Sequence, residues 1–267
     1  MSQTVIIHRS SLLQSIASYV RLGYRHFFVG TVKAERALSW SRKAGRYYAT
    51  DLDRNRRARA KKRGEGCAVL LMHEHEPGML TYVLLVTDGE NPAHRLEQLG
   101  DAFAGPRLVL FGYELVRATR PLSQHPAVTW RMAEDTYRAR REEVIDTVRR
   151  GDDMRVRQLI HSMHAAPGFA PVRQQTYKLR ALLKAEWRRI RGRAPAPAMP
   201  GKVAYLARVR VDSMPLHVYL SAIERQSGAV ARLKSDEYER AGECPLVQMN
   251  LPISIATSAT VHALLRR

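Results

Sequence analysis

The hydrophobic pattern of the first 66 residues alternates between strand and helix periods. Residues 4–8 have the composition of a short strand, and the apolar positions that follow recur at helical spacing until Gly23, a residue type that commonly ends a helix. A β-rich stretch over residues 24–33 comes next, and a second helix is predicted over 34–44. Mixed strands and helices of this kind indicate an α+β fold.

The next segment predicts a β-hairpin and two further strands. Residues 67–72 and 80–87 are apolar runs of strand length on either side of the turn dipeptide Pro77-Gly78. Further strands are predicted over 107–117 and 127–132, with a helix over 92–102. This hairpin within an α+β segment favours a ferredoxin-like, or RRM-like, unit.

The middle of the chain changes character, because only helical periods remain. Helices are predicted over 134–150, 152–164 and 171–191, and the proline-rich stretch 194–201 is predicted to be a stiff linker. A β-α-β pattern then returns, so the sequence predicts two ferredoxin-like parts with an inserted, arginine-rich helical finger. The predicted domains are 1–133, the finger 134–193 and a smaller C-terminal part 201–267.

Charge changes this picture more than any other bulk property. The 267 residues carry 44 Lys and Arg against 25 Asp and Glu, a net charge of +19, and 36 of the cations are arginine. A field of this sign attracts polyanions, and the guanidinium fork grips phosphate with two hydrogen bonds. Nucleic acid is therefore the expected partner. The chain has no apolar run long enough to span a membrane and no signal-peptide pattern at Met1, so a cytoplasmic location is expected.

Two segments concentrate the basic charge. The first is the run from residue 51 to 63, whose cations point in every direction around a helix, so that a mobile loop or a solvent-exposed helix is expected. The second is the helix after Pro171, in which several cations recur on one face with Glu186 as the sole acid. The predicted RNA-binding residues are Arg54, Arg56, Arg57, Arg59, Arg173, Lys178, Arg180, Lys184, Arg188 and Arg191.

The chemistry-bearing motifs are few. His73 and His75 flank a glutamate after a strand, with no obvious third ligand, and His161 and His164, at positions i and i+3, are a second pair that could hold a metal. The sequence contains no phosphate-binding glycine loop, no hydrolase elbow and no zinc-finger pattern. We therefore expect no metal and no cofactor. RNA can be cut without a metal, because its own 2′-hydroxyl attacks the neighbouring phosphate.

The layout resembles the CRISPR-associated endoribonucleases of the RAMP superfamily, and the arginine-rich insertion is most similar to their type IV branch. The resemblance implies that the chain processes precursor CRISPR RNA at stem-loop repeats, leaves a 2′,3′-cyclic phosphate, stays bound to the product and joins other subunits of an effector complex. It also implies a histidine near the first helix, for which His26 is the match, and a glycine-rich loop, for which Ala241-Gly242-Glu243 is a poor one.

Because the match to the glycine-rich loop is poor, the sequence favours an arginine-centred site over a histidine-centred one. Arg21 ends the first helix, Arg36 opens the second, and Arg240 precedes Gly242, so a ferredoxin-like fold is expected to bring the three towards one cleft with His26. Two other functions stay open: a non-catalytic DNA-binding accessory protein of a mobile element, and a metal-dependent nickase that uses His73 and His75.

Overall fold

A computed structural model describes residues 3–119, 126–204 and 211–225. Its strands are β1 (Thr4–Ile6), β2 (His26–Lys33), β3 (Ala68–Glu76), β4 (Met79–Val86), β5 (Gly100–Asp101), β6 (Val109–Leu110), β7 (Tyr113–Ala118), β8 (Ala127–Met132) and β9 (Ser213–Pro215). Its helices are α1 (Arg9–Arg21), α2 (Ala34–Tyr48), α3 (Arg54–Lys62), α4 (Ala93–Leu96), α5 (Glu134–Arg150), α6 (Asp153–His164), α7 (Ala170–Arg191) and the helical residues 216–225. The predicted α+β class is confirmed.

The larger sheet has six strands in the order β5-β2-β4-β3-β1-β9. β1 pairs with β3 in parallel, and every other pair in the sheet is antiparallel. Alternate residues of the strands point to opposite faces. Val69, Val83 and Leu85 pack on one face with α1, whereas Leu70, Leu84 and Val86 pack on the other with α2 and residues 216–225.

The smaller sheet has the strand order β6-β7-β8, and its strand β8 packs against α1. The turn Phe111-Gly112 joins β6 to β7, and both of its residues have positive φ, as a tight hairpin requires. Trp130 on β8 is fully buried, and its indole N–H donates a 2.7 Å hydrogen bond to the carbonyl of Leu13 in α1. This contact joins the smaller sheet to the core beneath the larger one.

Helices α5, α6 and α7, the segment predicted as a finger, pack around a buried hydrophobic cluster that also includes Met132 of β8. Along α7, buried positions follow the helical period, with Val172, Thr176, Leu179, Leu183 and Trp187 turned inward. Gln175 of α7 exchanges hydrogen bonds with the backbone of Met132 at the end of β8, which anchors the finger to the smaller sheet.

Four expectations differ from the structure. The strand expected over 107–117 is instead the hairpin of β6 and β7, because the chain turns back at Phe111-Gly112. A ferredoxin-like order is not confirmed, because two helices separate β2 from β3 and β1 lies parallel to β3. The helix expected over 92–102 is only the four residues of α4, since Glu97 is extended. The described part of the C-terminal region does not form a separate unit: β9 extends the larger sheet at β1, and residues 216–225 cover its α2 face. The strands expected beyond residue 225 lie outside the described residues.

No helix in the described ranges is both long and apolar enough to cross a membrane.

Candidate histidine site and basic surfaces

Strand register places His26 at one end of the larger sheet. In one row across the sheet lie Asp101, His26, Val86 and Ala68, so the first residue of β2 sits beside the last residue of β4. Val86 and Ala68 face the α2 side, and the side chain of His26 shares that face. The loop after β4, residues 87–95, therefore passes directly over this histidine.

His26 is held between a carboxylate and a second imidazole. Its Nε2 lies 2.8 Å from Oδ1 of Asp88, and its ring meets that of His94 edge to face, with centroids 4.9 Å apart. Nε2 of His94 lies 3.0 Å from the carbonyl oxygen of Thr87. Because a carbonyl can only accept, this nitrogen carries the proton, and Nδ1 of neutral His94 is left as an acceptor. The imidazole of His26 thus contacts both the carboxylate of Asp88 and the imidazole of His94.

A buried amide fixes the loop that carries Asp88 and His94. The Asn91 side chain donates to the carbonyls of Tyr48 and Gly66 and accepts from the amide of Ala93. Gly89 has a φ of 105°, and a Cβ there would lie 2.5 Å from the carbonyl oxygen of Gly64, so no larger residue fits. The loop surrounds a cleft of about 330 Å³ that is lined by Asp88, His94 and Arg95.

A second ion pair borders the histidines. Arg25 donates two hydrogen bonds to the carboxylate of Asp101, which also accepts from the amide of Phe103. Burial alone would raise the pKa of Asp101, but these donors lower it, and the same pairing raises the pKa of Arg25. The pair fixes the start of β2 against β5 and keeps a charged carboxylate near His26.

No family model matches this chain, and no curated protein and no solved structure matches it either. The assignment of function therefore depends on the geometry of the molecule itself.

Of the predicted catalytic residues that the structure describes, only His26 lies in the histidine cluster. Arg21 lies at the same end of the sheet but at the end of α1, on the opposite face, and its guanidinium bonds to Ala17 and Ser18 of its own helix. Arg36 follows the far end of β2, an eight-residue strand of roughly 25 Å. The expected cleft between Arg21 and Arg36 is therefore not formed. Arg240 lies outside the described residues.

The basic run after Asp53 is a helix, α3, which is one of the two forms expected. It is exposed at most of its positions but is docked on the protein through a few residues. Its Ala60 is buried against α1, the guanidinium of Arg57 lies 5.9 Å from the ring centre of Tyr19, and Nζ of Lys61 lies 4.1 Å from that of Tyr24. Burial lowers the pKa of Lys61 and raises that of Tyr24 to about 12. Cation–π contacts thus replace the apolar face that the sequence lacks.

The three other predicted RNA-binding residues of α3 point outward. Arg54, Arg56 and Arg59 are exposed, and only Arg56 has an ion-pair partner in the described part of the chain, the capping residue Asp53. Helix α3 lies on the α1 side of the larger sheet, since its Ala60 belongs to the same buried cluster as the apolar side chains of α1.

In α7 the predicted phosphate ridge is divided between two roles. Arg173 and Arg180 donate to the carbonyls of Val203 and Gly201, and Arg191 donates to Gly151 and Asp153. These three hold neighbouring chain segments in place. The remaining predicted residues, Lys178, Lys184 and Arg188, are exposed, and no hydrogen bond or ion pair joins their side chains to a described residue.

Both histidines of the first pair considered as metal ligands, His73 and His75, are hydrogen-bonded within the protein. Nδ1 of His73 lies 2.8 Å from the carbonyl of Ile6, and Nδ1 of His75 lies 3.0 Å from the Thr81 hydroxyl. Burial lowers the pKa of His73 and also that of His164. Among the described residues, no group of three or more His, Cys, Asp or Glu side chains is arranged to hold a metal ion.

Sequence reasoning missed Asp88 and His94. A single histidine inside a predicted helix has no spacing that marks it. The available signal was the cluster of loop-forming residues directly after β4, Asp88-Gly89-Glu90-Asn91-Pro92, at the end of a buried strand. Polar loops at strand ends are frequent places for functional side chains.

Proposed function

We propose that this chain binds RNA through its basic surfaces and cleaves it, without a metal, at the His26–His94 site. The observation that carries the proposal is the placement of two imidazoles and the Asp88 carboxylate in direct contact, beside a cleft, on a protein with a net charge of +19. General acid–base catalysis of phosphoryl transfer needs one group that accepts a proton and one that donates a proton.

The proposed reaction uses the two rings in different forms. Neutral His94 accepts the proton of the ribose 2′-hydroxyl at Nδ1, since its Nε2 is held as N–H by the Thr87 carbonyl. The 2′-oxygen attacks phosphorus, the bond from phosphorus to the 5′-oxygen breaks, and cationic His26 protonates that oxygen. The products are a 2′,3′-cyclic phosphate and a 5′-hydroxyl. Asp88 pairs with the cationic ring.

Arg95 is the proposed stabiliser of the phosphorane. It follows His94, lines the same cleft, and is exposed with no side-chain hydrogen bond or ion pair to any residue that the structure describes. A guanidinium is suited to this role because it stays charged and offers paired donors to phosphate oxygens.

The proposed substrate is precursor CRISPR RNA at a stem-loop repeat, and the proposed setting is a cytoplasmic effector complex that retains the product; both come from the sequence resemblance. The ferredoxin-like description comes from the pattern of strands and helices in the sequence. The proposed chemistry does not depend on it, since it needs only the end of β2 and the loop after β4.

Single-turnover cleavage of repeat RNA in EDTA tests the proposal. We expect His26→Ala and His94→Ala each to slow cleavage by about 100- to 10,000-fold, because each removes one proton-transfer group, while RNA affinity changes little. The wild-type rate should follow a bell-shaped pH profile that loses one limb in each variant. His217→Ala, which removes an exposed histidine from residues 216–225, is the matched control and should cleave at the wild-type rate.

The same assay separates the other functions. Full rates in both histidine variants would place catalysis elsewhere. Binding of RNA or DNA without cleavage would favour the accessory protein. Cleavage of DNA that EDTA abolishes would favour the metal-dependent nickase.

A further inference from the structure

The outer surface of α2 carries cations and aromatic rings in alternation. Its buried side consists of Ala34, Ala37, Ser41, Ala44 and Tyr48. On the flank of the helix lie Arg36, Trp40, Lys43 and Tyr47, spaced by four, three and four residues, so that they form one stripe along the helix. We call these four residues the α2 stripe.

The rings of the α2 stripe belong to a larger aromatic surface. Trp40 packs on Tyr82 with ring centres 5.0 Å apart, and Tyr82 packs on Phe28 at 6.2 Å. Tyr82 lies over Gly30, where a Cβ would stand 2.5 Å from its hydroxyl oxygen, so the absence of a side chain at Gly30 lets the ring rest against β2. The ring of Trp40 is thus supported by aromatic side chains of the sheet.

Both cations of the α2 stripe, Arg36 and Lys43, are exposed and can contact a ligand. Arg36 is exposed and has no side-chain hydrogen bond or ion pair within the described ranges, and Nζ of Lys43 lies about equally far from two rings, 6.0 Å from Trp40 and 5.9 Å from Tyr47. The ring of Tyr47 is 50% exposed. The buried indole N–H of Trp40 has no acceptor in the described part of the protein, which leaves a donor unsatisfied at the edge of the stripe.

The α2 stripe leads to the histidine site. α2 begins after the far end of β2, and its last residue, Tyr48, receives a hydrogen bond from Asn91 in the loop that carries Asp88 and His94. From Arg36 to Tyr47 the helix rises about 16 Å. A strand lying along the stripe would therefore arrive at the loop over His26.

We propose that the α2 stripe binds the unpaired nucleotides that flank the cleaved phosphate. Bases stack on Tyr47 and the outer edge of Trp40, and phosphates pair with Lys43 and Arg36. Alternating rings and cations match single-stranded nucleic acid, in which every base offers a stacking face and every link a charge. This inference rests on the proposed cleavage at His26 for its role, but the binding itself is measured separately.

The test uses a fluorescein-labelled 12-nucleotide oligouridine and a blunt RNA duplex of equal length, with the full chain carrying His26→Ala so that no cleavage intervenes. We expect Tyr47→Ala to weaken oligouridine binding roughly 5- to 100-fold, the range of base stacking on one ring, and to change duplex binding little. Tyr47→Phe should retain affinity, because the ring remains.

Charge controls come from the same helix. Arg42 and Arg46 are exposed on the other flank of α2, so Arg42→Gln and Arg46→Gln remove the same charge without touching the stripe. Lys43→Gln and Arg36→Gln should weaken oligouridine binding more than either control does. Oligouridine should also quench tryptophan fluorescence, and that quenching should be lost in Trp40→Phe.

Any of three results would overturn the α2 stripe. Tyr47→Ala and Tyr47→Phe could bind oligouridine with equal affinity, or Tyr47→Ala could lose as much affinity for the duplex as for the single strand. The third result is displacement of oligouridine by polyglutamate at matched charge. Absence of RNA cleavage by the wild-type chain, with ring-dependent binding of oligouridine intact, would instead overturn the proposed catalysis and leave the α2 stripe supported.

Discussion

Helices α2 and α7 are both rich in cations, but within the described ranges several arginines of α7 bind the protein itself and those of α2 do not. In α7, Arg173, Arg180 and Arg191 donate to backbone carbonyls of the protein itself, whereas Arg36, Arg42 and Arg46 of α2 face outward without such partners among the described residues. The number of arginines in a segment therefore does not measure the charge it offers to a ligand. An arginine whose guanidinium donates to a backbone carbonyl holds another segment of its own protein in place.

The largest expected effect concerns the interior of α7. Trp187 is buried, and its indole donates to the carbonyl of Ala194 while Arg191 lies over its ring. Trp187→Ala should destabilise the protein by about 3–5 kcal/mol in urea unfolding, because a large core side chain is lost. Ile190→Ala, at a 37% exposed position of the same helix, is the control and should change little. An unchanged stability in Trp187→Ala would contradict a structural role for α7.

Arg191 and Arg188 of α7 allow an arginine that binds the protein itself to be compared with an exposed one in the same helix. Arg191→Ala removes hydrogen bonds to Gly151 and Asp153 and should cost about 1 kcal/mol of stability, with the salt dependence of RNA binding unchanged. Arg188→Ala should leave stability unchanged and lower the salt slope by about 0.9 if it contacts one phosphate. Equal behaviour of the two variants, in thermal unfolding and in salt titration, would remove the distinction.

The smallest effect is a pH dependence created by the burial of His164, beside Arg180 of α7. Burial, and then the nearby charge of Arg180, lower the pKa of His164. A histidine whose pKa is lower in the folded state contributes stability above its unfolded pKa, about 6.5, and loses it as pH falls further. The urea midpoint should therefore drop between pH 7.5 and 5.5, and His164→Leu should reduce that drop. Arg42→Gln on α2 should not alter it.

The hydrophobic periodicity of the sequence was enough to predict the helices and strands in which that periodicity is strong. The hairpin of β3 and β4 and the three finger helices lie close to where periodicity and turn residues put them. The pairing of β9 with β1 could not be predicted, because three residues carry no pattern that identifies a partner two hundred positions away. The docking of α3 was also hidden, since it depends on Tyr19 and Tyr24 lying under Arg57 and Lys61.

The candidate site was predicted in part for the same reason. His26 was identified by its position after the first helix, whereas its contacts with Asp88 and His94 arise from the register of β2 with β4. Arg36 was expected in the same cleft, but the length of β2 moves it to the far end of the sheet, where it joins Trp40 on α2. The sequence contains the residue types, and strand register decides which of them meet.

The pairing of β1 with β9 also constrains the order of folding. Ile6 lies opposite Ser213, so the outermost ladder of the larger sheet joins residues from the two ends of the described chain. Contacts of such sequence separation form slowly, because a long loop must close before they contribute any stability. During synthesis, β1 must wait with an open edge until the finger has left the ribosome. At three residues, β1 is short enough to offer other chains little to pair with during that interval.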